Sequence, residues 1–265
     1  MALQQLEYRL WDALQRIEAD YGDVASIRNK RKVLRKFGEN KNVGTSKTTV
    51  MTLPTGITNE TYITDNLINT VSSSNVNDDQ LVIIEGHTVS NGDYTFTVQT
   101  AILNGRNKVT LSTPLARNTR IYNADISDNL GDVYAYEDTA ITSGVPSDGT
   151  KVHCIMPALE NQSKKASTTV SKNDYWILTD VYASILEKSS SFADFELQIR
   201  QNGFVFRPQF DVGISSSSGT INLSLDPCIV VPSNSDVRIV ATAGSANTHI
   251  TAGLNGYLAS VGGVM

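Results

Sequence analysis

Apolar residues recur at three- and four-residue steps near the start of the chain: Leu3, Leu6, Leu10, Ala13, Ile17, Val24 and Ile27. That spacing lays a single stripe along a helix. It predicts a helical arm over residues 1–40, with one long helix across 3–37 and Gly22 as the place for a break. Gly38 stands where a left-handed cap would end it. Asp20 falls on the stripe and interrupts it, which argues against a long continuous coiled coil. One stripe cannot bury itself. The helix must lie on its own body, on sister copies or on a partner protein.

From 41 to 64 the pattern turns polar, with Asn42, Gly44, Ser46, Pro54 and Gly56, and reads as an extended linker or arm. Residues 48–53 within it suit either a strand added to a neighbour's sheet edge or an internal edge strand.

Beyond this point the apolar period falls to two. Residues 65–165 read as a small β domain. Its signals are the apolar run 81–85, the hairpin turn Ser90-Asn91-Gly92-Asp93 and a second turn at Asn104-Gly105. Between the turns Tyr94, Phe96 and Val98 alternate with Thr95, Thr97 and Gln99, placing the apolar side chains on one face. Residues 133–136 and 152–156 read as further strands, and 161–165 as a crossing segment. Residues 166–265 read as a C-terminal β-sandwich. Trp176 opens a long apolar strand, Phe195, Leu197 and Ile199 alternate, and Ile221, Leu223 and Leu225 alternate again after the turn at Asn202-Gly203. About eight strands in this region suggest a jelly roll. The expected fold class is mainly β: a helical arm, a small β module and a jelly-roll-like β-sandwich.

Charge adds polarity to this layout. Through Lys41 there are nine Lys/Arg and six Asp/Glu, a net of +3, and the remainder carries −8 of the total of −5. Arg28, Lys30, Arg31, Lys32, Arg35 and Lys36 form a basic run that could neutralise phosphates. Phe37 is the only aromatic beside it and the body is acidic. An acidic protein surface is therefore a better expectation than nucleic acid, and a solvated face is the bland alternative.

Candidate chemistry is sparse. His87, His153 and His249 stand far apart with no ligand spacing, so no metal is expected, and His87 reads as a surface or strand-end residue. Asp78 and Asp79 are adjacent, as are Glu137 and Asp138, so in strands each pair would point to opposite faces. No nucleophile elbow or phosphate loop is present. No catalytic residue and no cofactor is expected. Cys154 and Cys228 read as free thiols of a protein made in a reducing cytoplasm. No apolar run approaches the roughly 20 residues of a membrane span, and the first residues lack the pattern of a signal peptide, so no membrane is expected.

Arg35-Lys-Phe-Gly-Glu-Asn-Lys-Asn-Val-Gly-Thr45 resembles the helix-to-body junction of structural proteins from tailed-bacteriophage virions. Val82-Ile-Ile-Glu-Gly-His-Thr-Val, with Val109-Thr-Leu-Ser-Thr-Pro-Leu-Ala-Arg117, is similar to their middle module. Glu160-Asn-Gln-Ser163 and Asn255-Gly-Tyr-Leu-Ala259 resemble the lead-in and end of their C-terminal domain. The chain departs from the pattern at Lys47-Thr-Thr-Val-Met, where the family often has aromatic residues.

The resemblance implies a capsid decoration, or cement, protein: a non-enzymatic homotrimer on the capsid exterior whose N-terminal element lies along the junction of shell subunits. The major capsid protein is the implied partner. Leu6, Leu10, Trp11, Leu14 and Ile17 are the expected apolar anchors, and Arg28, Arg31, Lys32 and Arg35 the expected contacts to acidic capsid surface. The alternative is a tail or head-fibre component whose C-terminal sandwich binds a host surface. A carbohydrate-active enzyme, the third reading, would need two distant carboxylates to converge in a cleft.

Overall fold

A computed structural model of the chain describes residues 31–187, 192–215 and 219–260. Its first strands are β1 (Arg31–Val43) and the two-residue β2 (Thr48–Thr49). A middle module follows: β3 (Ile68–Ser73), β4 (Leu81–Ser90), β5 (Asp93–Ile102), β6 (Val109–Leu115), β7 (Arg117–Asn123), β8 (Val133–Glu137), the short β9 (Ile141–Thr142) and β10 (Val145–Pro146), and β11 (Val152–Met156). The remaining strands are β12 (Ser167–Val170), β13 (Asp174–Glu187), β14 (Phe192–Gln201), β15 (Arg207–Ser215), β16 (Thr220–Val231), β17 (Ser235–Ala243) and β18 (Thr248–Ser260).

The larger sandwich packs the sheet β1-β18-β13-β16 against β12-β17-β14-β15, and β2 extends the edge that β12 begins on β17. Counted along the sandwich without β2, the orders are 1-8-3-6 and 2-7-4-5, the arrangement of a jelly roll. Trp176, Leu178, Phe195, Leu197, Ile239 and Leu254 fill the space between the sheets.

The jelly roll does not begin at residue 166. Its first strand is β1, drawn from residues expected to be helical. Arg31 through Asn40 pair in unbroken register with Ala259 through Ile250. Short apolar stretches do not separate helix from strand by period alone, and here the exposed edge of β18 decides, because pairing satisfies its backbone. Leu34 packs on the core, Lys36 is buried, and Gly38 lies against β2's neighbourhood rather than capping a helix. A Cβ on Gly38 would stand 2.0 Å from the Val50 carbonyl oxygen. The rest of the expected helix, residues 1–30, lies outside the described residues.

The middle module is inserted between the first and second jelly-roll strands. Its sheets are β11-β8-β3-β6 and β5-β4-β7, packed through Ile68, Val82, Ile84, Leu115, Ile121 and Met156. The β4–β5 hairpin turns at Asn91 (φ 52°) and Gly92 (φ 82°) as its sequence requires. Tyr94, Phe96 and Val98 do share a face, but it is the outer one, while Gln99 and Ala101 point into the module. The chain enters and leaves the module side by side: Thr52 N donates to Lys164 O, and Ala166 N to Val50 O. Much of the expected linker is thus built into the fold, and β2 is an internal edge strand.

Candidate functional site

A cleft of about 770 Å³ opens between β1 of the jelly roll and the β5-β4-β7 sheet of the middle module. Lys32, Arg35 and Lys36 line it from β1, and Thr168, Ser171 and Asp174 from the segment around β12. Across from them stand Glu85 and His87 of β4, Phe96 of β5, and Thr119 and Arg120 of β7. Antiparallel register explains the second wall: His87 is opposite Phe96 and Arg117, and Glu85 is opposite Val98 and Arg120.

Two groups in this cleft are strongly perturbed. The Lys36 ammonium donates to the Thr119 carbonyl at 2.6 Å. Burial, reinforced by the nearby Arg120 charge, pulls its pKa down to about 7. His87 is buried, with its ring edge-on to Phe96 at 5.4 Å and Tyr94 at 6.5 Å. Burial pushes its pKa down to about 3, so the imidazole is neutral at physiological pH. Its Nδ1 has no hydrogen-bond partner among the described residues. The expected surface histidine is therefore a core one.

Beside the cleft the two sandwiches are joined by buried charge. Asp236 of β17 is fully buried and meets three donors. Arg117 reaches it through Nε at 3.0 Å and Nη2 at 3.1 Å, Arg200 through Nε at 3.0 Å, and Thr169 through its hydroxyl at 2.7 Å. Burial alone would raise the Asp236 pKa, but the charges and hydrogen bonds of Arg117 and Arg200 hold it below the usual carboxylate range. Arg117 also donates to the Tyr94 hydroxyl at 2.6 Å and to the Ile63 carbonyl. The Tyr62 ring lies under both guanidinium groups, 5.1 Å from Arg117 and 4.3 Å from Arg200.

A second buried pair, Lys165 with Glu60 at 2.6 Å, sits at the neck. Lys165 also donates to the carbonyls of Asn118 and His153, and Glu60 accepts from Ser167 and Tyr62. Against burial, which would raise it, the Lys165 charge keeps the Glu60 pKa low. His153 meets Glu137 at 2.9 Å, and Glu39 accepts from Lys164 and His249. The Arg117–Asp236 pair crosses the module boundary and Lys165–Glu60 sits at its neck, while His153–Glu137 lies within the middle module and Glu39–His249 within the jelly roll. The first two form a joint.

Of the sequence-expected contact residues, Leu6, Leu10, Trp11, Leu14, Ile17 and Arg28 lie outside the described residues. Arg31 begins β1, and Lys32 and Arg35 are exposed on that strand rather than on a helix. The structure brings Lys32 and Arg35 to one cleft with Arg120. The joint itself is illegible in the sequence. Arg117 and Asp236 are 119 residues apart, and neither belongs to a spacing motif. Among the described residues no group of three or more His, Cys, Asp or Glu could hold a metal, and no helix is long and apolar enough to cross a membrane.

No family model matches the chain, and no curated protein matches it. Among solved structures, that of infectious bursal disease virus (Gx strain) is similar at 13% identity and a TM-score of 0.26, over 88% of this chain and 73% of that one. The VP2 subviral particle of the same virus is similar at 13% identity and a TM-score of 0.21, over the same shares. A tandem CBM22 domain from Paenibacillus barcinonensis is similar at 9% identity and 0.22, over 88% of this chain and 94% of that one. Superpositions this partial carry no functional assignment.

Proposed function

We propose that this chain is a non-enzymatic structural protein of a virion, and specifically a decoration protein that binds the exterior of a phage capsid shell and stabilises it. The supporting observation is β1. Residues 1–30 lead directly into a strand that pairs with β18 over ten consecutive positions. A load on those residues would be borne by many backbone hydrogen bonds of the jelly roll at once, while the buried joint keeps the middle module from swinging away. That is the mechanics a shell-bridging clamp needs, and modest contacts repeated over many copies give it avidity.

On this reading Leu6, Leu10, Trp11, Leu14 and Ile17 anchor the protein to the major capsid protein, with Arg28, Arg31, Lys32 and Arg35 meeting acidic shell surface. Self-association, as a homotrimer, would fall to the jelly roll. Its edge strands β15 and β16 favour this, because the inward residues Phe210, Val212, Ile221 and Leu225 are only partly covered there.

A second reading, a tail or head-fibre component that binds a host surface, draws support from the turn after β14, where Phe204 and Val205 are exposed. Copies per particle relative to the major capsid protein separate the two. Hundreds in fixed proportion to the shell subunit are expected for decoration. A few dozen would transfer the protein to the tail or a fibre.

A further inference from the structure

Asn118 of β7 is the one residue, among those described, whose side chain has both polar atoms buried and without a hydrogen-bond partner. It is 1% exposed. Leaving an amide dry and unpaired costs free energy, so such a group calls for a reason. Its neighbours supply one. The buried Lys165 Nζ donates to the main-chain carbonyl of Asn118 at 2.6 Å. The Asn118 Cγ stands only a few ångström from that carbonyl oxygen in any staggered rotamer. The Glu60 carboxylate, also buried, meets the same Nζ at 2.6 Å. Ser167 and Tyr62 donate to its other oxygen at 2.7 and 2.9 Å, which fixes it against the lysine. An amine, a carboxamide and a proton carrier are thus enclosed together.

We propose that Lys165 and Asn118 join in an isopeptide bond, formed by the folded protein itself with Glu60 as the proton carrier. Burial penalises both charges of the Lys165–Glu60 pair and so favours transfer of a proton from ammonium to carboxylate. The free amine is then a nucleophile, and Nζ attacks Asn118 Cγ. Glu60 delivers its proton to Nδ2 and takes up one of those left on Nζ. The Cγ–Nδ2 bond breaks as the Nζ–Cγ bond is completed. The ammonium of Lys165 and the side-chain amide of Asn118 have become a secondary amide and an ammonium ion, and no oxidant, reductant or further reactant is consumed. Enclosure supplies the proximity that the reaction needs. The bond braces the neck to β7 of the middle module and closes a loop between positions 47 apart in the chain. This goes beyond the decoration reading and rests on none of it.

Intact mass spectrometry of the full-length protein, unfolded after purification, tests it. The wild type is expected to weigh one ammonia less than its sequence. Tryptic digestion is expected to yield a branched peptide joining Asn118 to Lys165. Asn118→Ala should carry its full sequence mass, and Glu60→Gln should lose most of the linked fraction. Asn118→Asp should form the link with loss of water instead, because its carboxyl offers the same carbon with a different leaving group. Buried substitutions can unfold the chain, so the wild type decides. Full sequence mass in wild-type protein that circular dichroism shows to be folded would overturn the proposal. Ammonia lost without a branched peptide would mean cyclisation of an asparagine and overturn it equally. A branch at Lys36, whose Nζ bonds the adjacent Thr119 carbonyl, would overturn the choice of lysine.

Discussion

Removing the Asp236 carboxylate leaves Arg117 buried at the module joint without its counter-charge, while Arg200 beside it is more exposed. Breaking a buried pair by deleting one partner costs about 3–5 kcal/mol, because the remaining charge stays out of water. Asp236→Ala is expected to lose stability on that scale in urea unfolding, and Lys47→Ala, whose ion pair with Glu196 leaves the lysine largely exposed, is expected to lose little. The pH dependence follows from the direction of the shift. The Asp236 pKa is lower folded than unfolded, so its contribution is present above the ordinary carboxylate pKa and is lost as pH falls through the folded value. His87 acts in the same sense by a different route. Its pKa is about 3 folded and 6.5 in the open chain. The unfolded state therefore binds the extra proton between those values, and stability declines as pH falls from 6.5 toward 3. His87→Leu should flatten that part of the stability profile, and an unchanged slope would mean the imidazole is not held neutral.

At the scale of elements, β1 decides where the chain can be cut. Deleting residues 1–30 leaves all the described strands in place, so the body is expected to fold with its near-wild-type melting temperature. Deleting 1–40 removes most of β1, exposes the edge of β18, and takes away Lys36 and Glu39 together with their partners' counter-groups. That truncation is expected to be poorly folded or aggregated, as an open sheet edge would be; circular dichroism and size-exclusion chromatography of the two truncations check this. Gly38→Val should mimic the second truncation, since its side chain would collide with the Val50 carbonyl. The same strand shows what the sequence could and could not reveal. Alternation at Phe195, Leu197 and Ile199, and the Asn-Gly turns at 91–92 and 202–203, announced their strands correctly because local chemistry sets them. β1 was misread because Val33, Leu34 and Phe37 fit a helical step as well as a strand, and the arbiter was an edge more than two hundred residues away. For β5 the shared face of Tyr94, Phe96 and Val98 was legible, but not what covers it. Alternation fixes which residues share a face, whereas the module that covers Tyr94 and leaves Phe96 bare is a tertiary matter. The cleft and the buried joint, built from strands of both sandwiches, had no local signal at all.

At the scale of the whole molecule, the question is whether two cores behave as one. Each sandwich buries its own apolar cluster, and the chain passes between them through a neck only two segments wide. Such an arrangement would ordinarily melt in two steps. Against that stand the Arg117–Asp236–Arg200 cluster, the buried Lys165–Glu60 pair and the Lys36 bond to Thr119, all of which lose partners if either sandwich opens alone. An opened joint would forfeit these charge-assisted bonds and expose the surface they hold together, a cost that links the two unfolding events. The wild-type protein is therefore expected to show one calorimetric transition, with van't Hoff and calorimetric enthalpies in agreement. In Asp236→Ala the link is cut at its most buried point, and the transition should broaden or divide while both sandwiches still form. Two resolved transitions in the wild type would show that the joint does not couple the cores. The two sandwiches would then unfold as independent units.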